Sequence, residues 1–196
     1  MTTSRTATAA LVLAAATLLA GCGFQSIPQG ENAVAAAWSE VENQYQRRAD
    51  LVPNLVETVK GYAAHERGTL EAVVQARANA TSIQLKADQL TPENLEKFEA
   101  AQGQLKSALG RLLAVSENYP QLKANENFRD LQAQLEGTEN RITTARRRYI
   151  ESVQSFNDLV TVPPTSWTNS LFYKKQAKAQ FKATAPEAAT APKVKF

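Results

Sequence analysis

The chain has 196 residues, with 22 Lys plus Arg, 19 Asp plus Glu, and one residue each of His, Cys and Met. This length suits a single domain with or without tails, and a hydrophobic fraction of 43% is sufficient for a packed core. The single Cys excludes an intramolecular disulfide and a multi-cysteine zinc site, and the single His excludes a His-rich metal centre and disfavours a Ser-His-Asp triad.

An uncharged apolar run stands near the start of the chain. Residues 7–20 consist of Ala, Leu, Val and Thr and follow a short polar, basic start. A membrane-spanning helix needs about 20 apolar residues, so a run of this length is typical of a signal-peptide core. The run ends at Leu19-Ala20-Gly21-Cys22, which resembles the lipobox of bacterial lipoproteins. We therefore predict a signal peptide over residues 1–21 and a lipid anchor on Cys22; an uncleaved transmembrane helix is the alternative.

Helical periodicity dominates residues 31–162, which follow a Gly/Pro-containing spacer at residues 22–30. Apolar residues recur there in steps of three and four, as on the buried face of a helix. The stripes run from Val34 to Tyr62, from Leu95 to Tyr119 and from Phe128 to Phe156. Pro53 lies within the first stripe, where its missing backbone donor predicts either a kink or a break, with Asp50 capping a second helix in the latter case.

Residues that favour helix ends separate the later stripes. Thr91-Pro92-Glu93 combines a hydroxyl cap, a proline in the first turn and an acid near the helix N-terminus. Pro120 is expected to end that helix, Asn125 to cap the last one, and Val162-Pro163-Pro164 to terminate it. Because no stretch alternates with a period of two, we predict an all-α fold: an elongated antiparallel bundle of about four long helices without a β-sheet.

The end of the chain differs in charge from the body. Residues 22–162 contain 15 basic and 18 acidic groups, whereas residues 163–196 contain six Lys and one Glu. A nucleic-acid-binding protein normally has its basic surface on the folded body, so no nucleic-acid partner is predicted. We expect residues 163–196 to form a basic, partly disordered tail that can contact anionic envelope polymers. Its large apolar residues either fold back on the bundle as a short capping helix or remain free; they are Trp167, Leu171, Phe172, Tyr173 and Phe181.

Several segments of the body have a distinctive sequence. They are Ala37-Trp38-Ser39-Glu40-Val41-Glu42, Arg47-Arg48-Ala49-Asp50-Leu51-Val52-Pro53-Asn54-Leu55, Thr58-Val59-Lys60-Gly61-Tyr62, Tyr119-Pro120-Gln121-Leu122-Lys123-Ala124-Asn125 and Leu135-Glu136-Gly137-Thr138-Glu139-Asn140-Arg141-Ile142. Over roughly residues 30–160 the chain thereby resembles the LemA family. The resemblance implies a four-helix bundle of a bacterial envelope protein, outside the cytoplasm, with no established enzymatic activity. Family members usually carry an uncleaved N-terminal membrane helix, and the lipobox departs from that pattern.

One polar cluster interrupts the apolar face of the first helix. It comprises Arg47, Arg48, Asp50 and Asn54. Arg48 falls on the apolar seam, where an unpaired charge would cost several kcal/mol, so it must reach solvent or pair with an acid such as Glu139 or Glu136. We favour an ion-pair network that fixes helix register; the alternative is a polar docking surface for a partner.

No catalytic constellation is evident. Glu57 and His65 would share a face if their helix continued, but two ligands without a third make a poor zinc site. Consecutive Arg146, Arg147 and Arg148 point in different directions, so that one or two are expected to be solvated. We therefore predict no catalytic residue, metal or cofactor. The chain is interpreted as a membrane-anchored interaction or scaffold protein with an unidentified protein partner; the alternatives are an accessory subunit of an envelope protease or stress system and, least favoured, an enzyme.

Overall fold

The structure is a computed structural model that describes residues 2–181, with side chains from residue 24 onward. Its helices are α1 (Thr2–Lys60), α2 (Arg67–Ser82), α3 (Pro92–Ser116), α4 (Pro120–Ala124), α5 (Glu126–Thr161) and α6 (Thr165–Thr168), which continues into a π-helical turn (Asn169–Tyr173). Residues 2–181 contain no strand, so the prediction of an all-α fold without a sheet is confirmed. The thiol of Cys22 and residues 183–196, the end of the tail that is expected to be disordered, lie outside the described part.

The longest helices, α1 and α5, run antiparallel. Arg48 of α1 contacts Glu139 of α5, and Tyr45, one turn earlier in α1, contacts Arg146, two turns later in α5. Helices α3 and α5 are also antiparallel, because Lys106 of α3 contacts Glu139 and the earlier Glu99 contacts the later Arg146. Helices α1, α2, α3 and α5 have unequal lengths, with 59, 16, 25 and 36 residues. In the part of the chain described, no helix carries an apolar stretch sufficient for a membrane span.

Apolar side chains form two buried clusters, one towards each end of the bundle. The distal cluster contains the end of α1, all of the buried face of α2, and residues including Leu105, Leu112, Phe128 and Leu135. The proximal cluster lies nearer the start of the described side chains and includes Ile27, Trp38, Phe98, Tyr149 and Phe156. Ile27 lies within the segment predicted to be a spacer, which in the structure is part of α1.

Helix α1 continues through both of its prolines, Pro28 and Pro53. A proline has no N–H for the carbonyl four residues earlier, which leaves the carbonyls of Phe24 and Ala49 without a helical partner. Side chains from other elements replace both donors: Arg77 Nε of α2 donates to Ala49 O at 2.8 Å, and Tyr173 Oη donates to Phe24 O at 2.8 Å. The helix therefore does not break at Pro53, and the capping role considered for Asp50 is wrong. Asp50 lies within the helix and accepts a hydrogen bond from Gln46.

The remaining helix ends follow the sequence closely. Thr91 caps α3 by accepting from the Asn94 N–H, and Asn125 caps α5 by accepting from the Phe128 N–H. Helix α3 ends at Ser116, and Pro120 begins the short α4. The shared helical face considered for Glu57 and His65 is wrong, because α1 ends at Lys60 and His65 lies in the following turn.

The described part of the tail folds back on the proximal end. After the π-helical turn the chain extends along α1 and α5, and Phe181 is buried with its ring 5.2 Å from that of Tyr149. Lys175 and Lys178 both pair with Glu31 of α1, at 2.8 and 3.5 Å. Two of the six tail lysines thereby share one acidic partner within the fold.

Glycine permits one close helix contact, between α1 and α5. A Cβ added at Gly30 would lie 2.9 Å from Leu159 Cδ1. At Gly103, Gly110 and Gly137, which lie singly within helices, a Cβ would meet nothing within 4 Å. The latter three are therefore tolerated glycines.

We expect Arg77→Met to lower the free energy of unfolding by about 1–3 kcal/mol, because the substitution leaves the Ala49 carbonyl without a donor. In a Pro53→Ala background the cost should be much smaller, since an alanine at this position supplies the missing N–H. A double-mutant cycle by urea denaturation measures the difference. Equal costs in the two backgrounds would show that Arg77 stabilises the fold by other means.

Candidate functional site

A layer of polar residues separates the two apolar clusters. Arg48, Gln102 and Thr138 lie at seam positions of α1, α3 and α5, where the spacing of three and four would otherwise place apolar side chains. Arg48 is only 2% exposed although it carries a charge. We call these three residues, with Glu139, the central polar layer.

The Arg48 guanidinium reaches two other helices. Nη1 donates to Glu139 Oε1 at 2.7 Å, which forms an ion pair with α5. Nη2 donates to both the side-chain oxygen and the backbone carbonyl of Gln102 in α3, at 2.7 and 3.0 Å. The prediction that Arg48 pairs with an acid is confirmed, and the acid is Glu139. Glu136 instead accepts a hydrogen bond from Gln132 on the exposed side of α5.

Gln102 extends the layer to the remaining helix. Its Nε2 donates to the Ala80 carbonyl at the end of α2, at 3.2 Å. The Thr138 hydroxyl is satisfied within α5, where it donates to Gln134 O at 2.7 Å. The Arg48–Gln102 pair thus joins α1, α2, α3 and α5 at one level. A shift of any helix by one turn would leave a buried polar group without its partner.

The charge of Glu139 is maintained by its neighbours. Burial alone would raise the pKa of this carboxyl, but hydrogen bonds and charges from Arg48 and Lys106 outweigh burial and hold the pKa below its ordinary value of 4.5. Lys106 Nζ lies 3.2 Å from Glu139 Oε2. A carboxylate held ionised in this way is a counter-ion, and it is poorly suited to exchange protons near neutral pH.

A second charged group lies next to the central polar layer. Arg146 donates to Glu99 Oε1 at 2.5 Å and to Tyr45 Oη at 3.1 Å, and its guanidinium lies 4.0 Å above the Phe181 ring. Burial would lower the pKa of Arg146, but Tyr45 and Glu99 outweigh burial and raise it. Arg146 therefore joins α1, α3, α5 and the tail. Its neighbours Arg147 and Arg148 are exposed, in agreement with the prediction that one or two of the three are solvated.

These groups line a cleft of about 290 Å³ between α3 and α5. Its acids, Glu99 and Glu139, are both paired with cations. The geometry orients and joins helices, and it presents no nucleophile beside a general base. Among the described side chains, no group of three or more His, Cys, Asp or Glu could hold a metal ion.

The structure divides the polar cluster predicted from the sequence. Arg48 is buried in the central polar layer, whereas Arg47, Asp50 and Asn54 lie exposed on the surface of α1. Sequence analysis did not identify Gln102, Arg77 or Arg146 as partners. The sequence did carry a signal for Gln102, because a buried amide on an apolar seam requires hydrogen-bond partners, as Arg48 does. Pro53 likewise indicates that the Ala49 carbonyl needs another hydrogen-bond donor. The sequence could not identify that donor as Arg77, because this depends on how α2 packs against α1.

We expect Glu139→Gln to lower the free energy of unfolding by about 2 kcal/mol, because buried Arg48 loses its counter-charge. The matched control is Glu136→Gln, one turn earlier on the exposed side of the same helix, which should change stability little. Urea denaturation at pH 7 compares the two variants. Similar losses in both would remove the special role of the Arg48–Glu139 pair.

The same pair defines a pH dependence. A carboxyl whose pKa is lower in the folded than in the unfolded state contributes stability above the unfolded value, and this stability is lost as the pH falls through the folded value. The wild-type protein should therefore lose stability as the pH falls below 4.5, and Glu139→Gln should lose less over this interval. Parallel pH profiles for the two proteins would contradict the lowered pKa.

Comparison with known proteins places this architecture in a family. The sequence profile described as "LemA family" matches residues 37–196, a range that includes the central polar layer and excludes Cys22. The chain is 26% identical over 144 residues to Protein LemA of Metamycoplasma hominis, which covers 74% of this chain and 61% of that protein. It is also 26% identical over 160 residues to Magnetosome proteins MamQ 1 and MamQ 2 of Paramagnetospirillum magneticum, covering 73% of this chain and 58% of each.

The chain thus spans about 60% of the length of the curated relatives it matches. The family profile covers well over half of the chain, including the segments whose sequence resembles the family. On this evidence, the chain belongs to the LemA family.

Proposed function

We propose that this chain is a membrane-anchored interaction or scaffold protein of the bacterial envelope, with its bundle outside the cytoplasm. In this proposal α1, α2, α3 and α5 act as an elongated antiparallel bundle held to the membrane at the N-terminus. Membership of the LemA family supports an envelope protein. The lipobox-like Leu19-Ala20-Gly21-Cys22 favours a lipid on Cys22 as the anchor.

The continuity of α1 is the observation that supports this proposal most directly. The backbone is helical from Cys22 to Ile27, which is fully buried in the proximal cluster. A lipid on Cys22 would therefore be joined to the core by about one turn and a half of helix. An anchor coupled in this way would fix the proximal end at the membrane and direct the distal end outward.

The far end of the bundle offers a surface to partners. From Phe24 to Lys60, α1 rises about 54 Å. Near Lys60 a groove of about 930 Å³ opens between α1 and α2, lined by residues that include Val56, Arg67 and Glu71. Exposed Arg47, Asp50 and Asn54 lie between this groove and the membrane end. We propose that these three side chains, without buried Arg48, form the docking surface.

The mass of the protein extracted from membranes tests the anchor. We expect a chain that begins at Cys22 and carries acyl groups, whereas Cys22→Ser should retain residues 1–21 and carry no lipid. Intact-protein mass spectrometry distinguishes these forms. A wild-type mass that includes residues 1–21 without acyl groups would favour the uncleaved membrane helix instead.

Capture of partners from crosslinked envelopes tests the docking surface. We expect the triple variant Arg47→Ala, Asp50→Ala, Asn54→Ala to capture less partner protein with little change in melting temperature, because all three residues are exposed. The matched control changes the same residue types on the exposed side of α5, in Asn127→Ala, Arg129→Ala, Asp130→Ala.

Equal capture by the two triple variants would contradict docking at this surface. The composition of the captured material then separates the functional classes. Several partners support an interaction or scaffold protein, whereas one stoichiometric partner would favour an accessory subunit of an envelope protease or stress system.

A further inference from the structure

Most of the exposed large apolar side chains lie at the proximal end of the bundle. Leu171, Trp167 and Phe172 are 72%, 64% and 63% exposed, and Phe24 and Val162 are also exposed. The Phe24 and Phe172 ring centroids are 4.9 Å apart, which joins the start of α1 to the π-helical turn. We call these five residues the aromatic patch. Large exposed apolar groups that gather at one place mark a contact surface.

The backbone beneath the aromatic patch is firmly held. Buried Asn169 donates from Nδ2 to Val160 O at 3.3 Å and to Lys175 O at 2.9 Å, and its Oδ1 accepts from the Lys175 N–H at 2.9 Å. Tyr173 adds its hydrogen bond to the Phe24 carbonyl. The π-helical turn is therefore tied to both α5 and α1. Trp167, Leu171 and Phe172 are exposed on an ordered surface, so their exposure does not arise from fraying of a chain end.

The position and composition of the patch identify its occupant. Phe24 follows the expected lipid site by two residues and the apolar run 7–20 by four. Trp favours the membrane–water interface, Trp, Phe and Leu form the inserted face of interfacial helices, and lysines beside them favour anionic lipid. Lys174 is exposed directly after the turn.

We propose that the aromatic patch inserts into the interfacial region of the bilayer that holds the anchor, and thereby seats the bundle on the membrane surface. This inference rests on the proposed membrane anchoring, but not on whether the anchor is a lipid or an uncleaved helix. The anchor keeps the proximal end at the membrane, and a second contact with the bilayer would limit the tilt of the bundle and hence set the direction of the docking surface.

Trp167 serves as a built-in probe. The protein has only two tryptophans, and Trp38 is buried about 21 Å farther along α1 from Phe24, beyond contact with lipid. The full-length protein is reconstituted in vesicles of phosphatidylethanolamine and phosphatidylglycerol, with or without brominated acyl chains. Subtracting the emission of Trp167→Phe isolates the Trp167 contribution. We expect this contribution to be blue-shifted and to lose about half of its intensity in brominated vesicles.

Two double variants test the patch as a whole. Leu171→Ser with Phe172→Ser should shift the Trp167 emission to the red and reduce its quenching by brominated lipid, at unchanged melting temperature. Tyr62→Ser with Val74→Ser, which changes exposed apolar residues at the distal end, should leave the Trp167 emission as in wild type.

Flotation of the same vesicles distinguishes the possible failures. Protein that floats while Trp167 remains quenched by aqueous iodide would overturn the seating of the patch and leave the anchor intact. Protein that does not float would overturn the anchoring itself. Self-association in detergent that Leu171→Ser with Phe172→Ser abolishes would show that the patch binds a second copy, which also overturns the inference.

Discussion

The buried charge of Arg48 is the constraint on which the arrangement of the bundle depends. If only apolar contacts joined them, the helices could slide along one another at small cost, because apolar contacts are not directional. A guanidinium withdrawn from water cannot, since each of its hydrogen bonds fixes a partner at a particular place. Glu139 of α5 and Gln102 of α3 accept hydrogen bonds from the two Nη atoms of Arg48, and Gln102 donates in turn to α2. Arg48 and Gln102 therefore fix the positions of α1, α2, α3 and α5 relative to one another along the bundle axis, at the boundary between the two clusters.

The prolines of α1 act in a related way. Each removes a donor from the helix, and each orphaned carbonyl is bound by a side chain from elsewhere: Arg77 at Ala49 and Tyr173 at Phe24. The Arg77 contact lies one residue from Arg48, so α2 is fixed at the level of the central polar layer. The Tyr173 contact fixes the tail at the proximal end. Helix α1 thus holds α2 and the tail through two of its own backbone carbonyls.

These constraints bear directly on the proposed function. Because the helices of this bundle cannot slide past one another, its two ends keep a fixed relative orientation. The proposed contact with the membrane would therefore determine the direction in which the distal surface points. The proximal end combines the start of α1, the π-helical turn and the aromatic patch in one ordered unit. The ionic groups of the interior hold this frame together, and in the proposed function the exposed side chains of α1 are left for partners. A scaffold or interaction protein requires this division of roles.

The sequence by itself determined the helical class, the caps Thr91 and Asn125, the apolar seams and the requirement that Arg48 find an acid. Each follows from local rules, namely periodicity, capping chemistry and the cost of burying a charge. Family membership was also readable, because its motifs are contiguous. Only the tertiary structure decided that Glu139 and not Glu136 is the partner, that α1 continues through Pro53, and that Tyr173 and Phe181 return to the start of the bundle. These outcomes depend on which side chain from a distant element reaches a given atom, and no local pattern encodes that distance.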